Sequence, residues 1–475
     1  MRTGKFPRKA ALSLLLSLAL LLPCWWHARI EAGDLGSHTY NAWLASLIRS
    51  GEVHGLWFSS PTTNVLFDQL LEHTTGWFGY DLGERLAVSL VVLVLFWGMF
   101  LLVASQTEEH PWYLAAVLAM LTYGWVFHMG FMNFLLATGL AAAALAFLIR
   151  DPSHGWRVAL PLLALACVAH VYPVAIAVAA AAYMELARRF DWRGKAVVFA
   201  AAVIAIFAIQ VVVSRYFDVV PGHTTALRAL GINQLAPFGA RYLWIACATV
   251  TLLWVSVLIV WWRERRTGTA LVPLHFAALF SLVIVLYPSS VRPHGALVSA
   301  SYLMDRISFL PLLCGCAFLA HGRVPRVAKS ALVLLAVGYF ALLFRDTEIL
   351  TQIELEIRAL ALRTPPASRV VELPPYAGNT STILDMVTRA CIGHCFAYAD
   401  YEPSTGQFRI RANPGNGVVM ANNRNAIAIE QGNFIVRPQD VPLYQIFPCR
   451  PMSLQFCLRE LHVGDISGHI VLPPS

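Results

Sequence analysis

The chain has 475 residues, of which 58% are hydrophobic and only 13% charged, and its mean hydropathy is +0.61. That composition excludes an ordinary soluble domain and defines a polytopic membrane protein. The formal charge of +8 does not point to nucleic acid, because the basic residues recur in short groups between apolar spans instead of forming one patch.

Windows of about 20 apolar residues predict an α-helical bundle of about eleven spans, near residues 10–27, 84–105, 111–128, 131–150, 157–170, 172–187, 195–213, 241–262, 270–287, 306–320 and 330–344. The first follows Arg2, Lys5, Arg8 and Lys9 and reads as a retained anchor, since no small-x-small cleavage site comes after it; a cleaved signal peptide is the competing reading. With the N-terminus in the cytoplasm, Arg150 and Arg157, the Arg188–Lys195 group, Arg263, Arg265 and Arg266, and the Arg323–Lys329 group all fall on the cytoplasmic side. Residues 28–83, 214–240 and 288–305, and everything after 345, then lie outside.

The first outer loop is acidic. Glu31, Asp34 and His38 open it, and an ionisable cluster at a membrane surface is a functional-site candidate by its cost. Asp34 reads either as a base or metal ligand or as a helix N-cap. His38 either orients that carboxylate, joins it on a metal or is solvated. The following segment places Tyr40, Trp43, Leu44, Leu47 and Ile48 on one helical face, with Asn41, Ser46 and Arg49 on the other, which predicts an amphipathic helix lying on a bilayer.

Further along, His128 and His170 sit in tight outer turns, where they line a cavity or cap helix ends. Arg292 and His294 in the loop Tyr287–Asp305, and Arg306, which opens the next span beside Asp305, are the cations available to a phosphate, with Arg215 and His223 in the preceding outer loop; Asp305 and Arg306 read alternatively as membrane-edge residues that snorkel. Hydropathy falls after Phe344. Residues 345–366 read as a linker ending in Pro365-Pro366, and 367–475 as a small β-rich domain, because Phe408 and Ile410 alternate with Arg409 and Arg411, and Ile427 and Ile429 precede Gln431-Gly432-Asn433. Cys391, Cys395, Cys449 and Cys457 in this tail suggest two disulfides; a zinc site including His394 is the alternative.

An outer loop opening with Glu31-Ala-Gly-Asp34-Leu-Gly-Ser-His38, set between a first span and many further spans with an exported tail, resembles the GT-C superfamily of membrane glycosyltransferases. The resemblance covers residues 10–344, although Glu31 and Asp34 replace the two adjacent acids commonest in that superfamily. It implies a transmembrane catalytic domain over 1–344 in a bacterial inner membrane, and a polyprenyl-phosphate sugar as donor. Asp34 is then the base or metal ligand, a divalent cation is an admissible cofactor, and the acceptor is an extracytoplasmic lipid, polysaccharide or protein. The chemistry is self-consistent: phosphate leaves without needing a proton, so one carboxylate base is enough for displacement at the anomeric carbon. Two other classes compete, a transporter or flippase subunit and a non-catalytic envelope-assembly protein. The predicted spans are nearly free of the acids that a transport path needs.

Overall fold

The computed structural model describes residues 6–107, 110–220, 225–264, 268–294, 300–372, 385–406, 408–450 and 454–468. In chain order these form α1 (Phe6–Trp25), α2 (Leu35–Ser50), strand β1 (Leu56–Phe58), α3 (Leu66–Phe78), α4 (Tyr80–Ala104) and α5 (Met132–Arg150). Then follow α6 (Trp156–Ala169), α7 (Val171–Arg188), α8 (Trp192–Tyr216), β2 (Phe217–Val220), α9 (Leu243–Glu264), α10 (Val272–Leu286), β3 (Ser290–Pro293), α11 (Leu310–Leu319) and α12 (Arg326–Ala361). The tail adds β4 (Arg369–Glu372), α13 (Met386–Ala390), β5 (Phe396–Ala397), α14 (Tyr401–Thr405), β6 (Ile410–Ala412), α15 (Asn423–Glu430), β7 (Leu443–Pro448) and β8 (Phe456–Leu461).

The protein is mostly helical. Among the described residues, six helices are long and apolar enough to cross a membrane: α4, α5, α7, α8, α9 with the turn before it, and α12. The expected count of about eleven is not confirmed by these six. The remaining apolar windows form shorter or broken helices, such as Lys9–Trp25, Trp112–His128, Trp156–Ala169 and Val272–Leu286. Averaging apolar residues over a window ignores what interrupts it, including the break at Tyr123–Gly124 and Pro161 inside α6.

The chain divides into two compact units. The first comprises Met1–Leu21, Leu90–Phe127 and Asn133–Leu343, and holds most of the apolar helices. Helices α4 and α5 cross closely: a Cβ on Gly98 would come within 2.0 Å of the Gly139 carbonyl oxygen, so only glycine admits this approach. Strands β2 and β3 pair antiparallel, with Asp218 opposite Arg292.

The second unit comprises Leu22–Ser89, His128–Met132 and Phe344–Ser475, so the first acidic loop shares a core with the tail. Helix α2 ends on Gly51, whose left-handed backbone (φ 76°) returns its N–H to the Leu47 and Ile48 carbonyls. Its apolar stripe does not face outward. Tyr40, Trp43, Leu44 and Ala45 are buried against Ile353, Ile357, Met386 and Val387, with Leu47 and Ile48 packed beside them. Protein thus covers the face that the sequence offers to a bilayer.

Residues 345–361 continue α12 as helix, which gives Ile353 and Ile357 their place in that core. In the tail, one sheet has the order β5-β4-β7-β8, parallel except for the β7–β8 hairpin, and β6 pairs instead with β1 (Ile410 opposite Phe58). The expected strand around Ile427 and Ile429 is helix α15, where Asn422 caps the first turn by accepting from the Arg424 N–H and Ile429 is buried.

Candidate functional site

The start of α2 is fixed by backbone contacts. The Gly33 and Asp34 N–H groups donate to the His128 and Met129 carbonyls at 2.9 and 3.1 Å, and the His128 Nδ1 donates to the Glu31 carbonyl at 2.7 Å. Gly130 (φ 82°) makes this possible: a Cβ there would stand 2.6 Å from the Asp34 nitrogen. His128 therefore holds the loop in place. Asp34 occupies the N-cap position, yet its side chain makes no capping hydrogen bond. Its half-buried carboxylate stands at the head of the helix.

Asp34, Ser37, His38 and Asn41 recur at helical spacing and share one face of α2. Ser37 Oγ and Asn41 Nδ2 each donate to Asp400, one to each oxygen, at 3.0 Å. Asp400 precedes α14, so this docking carries Glu402 to His38. His38 Nδ1 lies 2.7 Å from Asp68 Oδ1, in the first turn of α3, and 3.3 Å from Glu402 Oε1. The three ligand-type atoms are mutually within 4.8 Å. The Phe67 ring closes one side of the imidazole edge-on.

The electrostatics follow from burial and crowding. Burial disfavours a charged His38, but the carboxylates of Asp68, Glu402 and Asp34 outweigh it and lift the imidazole to about 10. Burial pushes the Glu402 carboxyl well above the usual carboxylate range, with His38 opposing and the neighbouring acids adding to it. Burial also raises Asp400 to about 7, against the hydrogen bonds from Ser37 and Asn41. A cluster so rich in carboxylates can take up positive charge and can offer a base.

Glu31 goes elsewhere. Its Oε1 accepts from Thr351 at 2.9 Å, and it shares a buried cluster with Glu84, Glu354 and Arg389. Arg389 donates to Glu354 Oε1 at 2.9 Å, to Glu84 Oε1 at 3.1 Å and to the Ile30 carbonyl at 3.0 Å. The Thr39 hydroxyl of α2 reaches Glu84 Oε2 at 2.6 Å. Burial, reinforced by Glu354, raises Glu31 to about 8 despite Arg389.

The other sequence candidates belong to the first unit. Arg306 Nη1 is 3.3 Å from His170 Nε2, while His170 Nδ1 accepts from the Tyr172 N–H at the start of α7. Asp305 pairs with Arg228 at 2.6 Å. Arg292 and His294 both bond Asp218 at the exposed end of the β2–β3 ribbon, and His294 also reaches the Arg215 carbonyl. That ribbon sets two of the cations expected to meet phosphate against one carboxylate. His223 lies outside the described residues. In the tail, Cys391 is bridged to Cys395 and Cys449 to Cys457, which leaves no thiolate for zinc, and His394 bonds the Thr364 carbonyl.

Sequence reasoning singled out Asp34 and His38 but neither Glu402 nor Arg389, whose partners His38 and Glu84 respectively lie hundreds of residues away in the chain. No matching family model, curated protein or solved structure is found for this chain.

Proposed function

We propose that this protein is a membrane glycosyltransferase that moves a sugar from a polyprenyl-phosphate donor to an acceptor hydroxyl, with Asp34 as the base. The observation that carries the reading is the Asp34 carboxylate, half-buried at the head of α2, not used as a cap, and one helical turn from His38. In the reaction the acceptor oxygen bonds to the anomeric carbon, its proton passes to Asp34, and the bond from that carbon to the phosphate oxygen breaks. Polyprenyl phosphate leaves with the electron pair. Ser37 and Asn41 hold Asp400, and through it α14, so that the wall of the pocket stays fixed as charge moves. The proposed site is extracytoplasmic, at a bacterial inner membrane, in keeping with the placement of Lys and Arg along the chain.

The test is turnover by the full chain in lipid nanodiscs, offered polyprenyl-phosphate hexoses and pentoses and, as a control, nucleotide sugars. Release of polyprenyl phosphate from one donor is expected, and mass spectrometry of copurified lipid identifies which. Absence of donor consumption, together with solute or lipid movement across vesicles, would establish the transporter reading instead.

A further inference from the structure

We infer that His38, Asp68 and Glu402 form a binding site for one divalent transition-metal ion, with Zn2+ or Mn2+ the fitting class. The inference goes beyond glycosyl transfer, because this donor set holds a cation whatever reaction is run beside it. Two ligand atoms about 2.1 Å from a tetrahedral ion lie roughly 3.4 Å apart. The His38 nitrogen stands 2.7 Å from Asp68 Oδ1 and 3.3 Å from Glu402 Oε1, and all three atoms fall within 4.8 Å of one another. Only small side-chain adjustments separate these positions from a ligand set.

A second observation points to a ligand. Glu402 Oε1 is buried and accepts no hydrogen bond, although it is aimed at the same nitrogen as Asp68. Its 3.3 Å contact with the imidazole is an ion pair without hydrogen-bond geometry, and a cation bound between the two groups would satisfy the buried oxygen directly. Supporting contacts resemble those that orient metal ligands: Asp400, held by Ser37 and Asn41, sets the start of α14, and the Phe67 ring fixes the imidazole. One imidazole nitrogen with two carboxylates suits zinc or manganese better than magnesium or calcium, which prefer all-oxygen shells. Three protein ligands leave a fourth position, and Asp34 lies one turn earlier than His38 on α2.

Calorimetry on the chelator-stripped full chain in nanodiscs, titrated with ZnCl2, MnCl2 and MgCl2, tests the site. One equivalent of Zn2+ should bind, Mn2+ more weakly and Mg2+ weakest, with proton release visible as a heat that changes with buffer. His38→Ala and Glu402→Gln should each weaken Zn2+ by about 100-fold or more. Glu402→Gln keeps the shape and removes a charge from a crowded pocket, so it stays informative if His38→Ala fails to fold. No saturable one-equivalent binding, or binding unchanged in the folded Glu402→Gln protein, would overturn the site. Sugar transfer by stripped protein that binds no cation would remove the metal and leave glycosyl transfer standing. Stoichiometric binding without transfer would do the reverse.

Discussion

Residues 31–38 contribute to two buried ionisable clusters built on opposite plans. Around Arg389, the carboxylates of Glu31, Glu84 and Glu354 face a guanidinium, with Arg29 also within 3.4 Å of Glu354. The guanidinium is permanently charged and donates in a fixed fork, so this cluster closes on itself and ties α4, α12 and α13 to the start of α2. Around His38, the acids Asp34, Asp68 and Glu402 face an imidazole, whose charge can be given up. Arg409, near enough to feel Asp68, is paired with Glu72. Charge neutralised by arginine is structural; charge left to an imidazole is available for a proton, a cation or a substrate.

Substitutions that treat the clusters alike should therefore have unlike results. Asp34→Asn should lower transfer by about 10²–10⁴ and leave thermal unfolding in detergent nearly unchanged, since the substitution keeps the shape and one side-chain oxygen and removes only the base and its charge. Donor turnover within a few-fold of the parent would show that Asp34 is not the base. Arg389→Met should do the opposite. Removing the guanidinium strands buried glutamates, at a cost of about 3–5 kcal/mol, readable as a large drop in unfolding temperature or loss of monodisperse protein. A stable, inactive Arg389→Met protein would mean that the arginine cluster belongs to the chemistry.

A smaller effect probes how α2 is seated. A Cβ on Gly36 would meet the Asp385 carbonyl oxygen at 2.5 Å, a backbone atom that cannot swing away. Gly36→Ala should cost about 1–3 kcal/mol as overpacking and should lower activity in proportion, because the helix carrying Asp34 and His38 has to shift. An unfolding temperature equal to that of the parent would show that α2 and the segment before α13 can separate without penalty.

The two clusters also differ in how far the sequence discloses them. Asp34 and His38 are four apart beside an apolar span, a local pattern with a physical reason to be noticed. Asp68 appears in the sequence only as one of several loop acids. Glu402 follows Asp400-Tyr401 in a polar tail, where acids are ordinary surface residues, and nothing in its spacing points to a histidine more than 360 positions earlier. The amphipathic stripe of α2 was legible as an apolar face, but periodicity does not distinguish a lipid surface from a protein core. Likewise the tail cysteines were legible as a group, while the helix at 423–430 was not: with Ile427 and Ile429 two apart, the alternation reads as strand, whereas the Asn422 cap and the buried Ala426 and Ile429 fit a helical turn.

The finest contrast lies in pH dependence, and Glu31 isolates it. The groups facing this carboxyl are Glu354, Arg389 and Glu84, with the Thr351 hydroxyl bonded to its other oxygen, and burial is the largest cause of its rise from 4.5 to about 8. Between those values the folded chain keeps a proton that the unfolded chain has released, so the folded state binds more protons and stability falls with rising pH. The contribution is fully present below about 4.5 and lost once pH passes about 8. Glu31→Gln mimics the protonated form, keeps the Thr351 bond, and alters an Oε2 that makes no hydrogen bond. Its stability at low pH should therefore be close to that of the parent. The difference between the two unfolding free energies should then open progressively from pH 5 to 8 in favour of the variant and level off beyond, a curve that chemical denaturation at a series of pH values would trace. A difference independent of pH would mean that Glu31 is ionised in the folded protein and that Arg389 outweighs its burial.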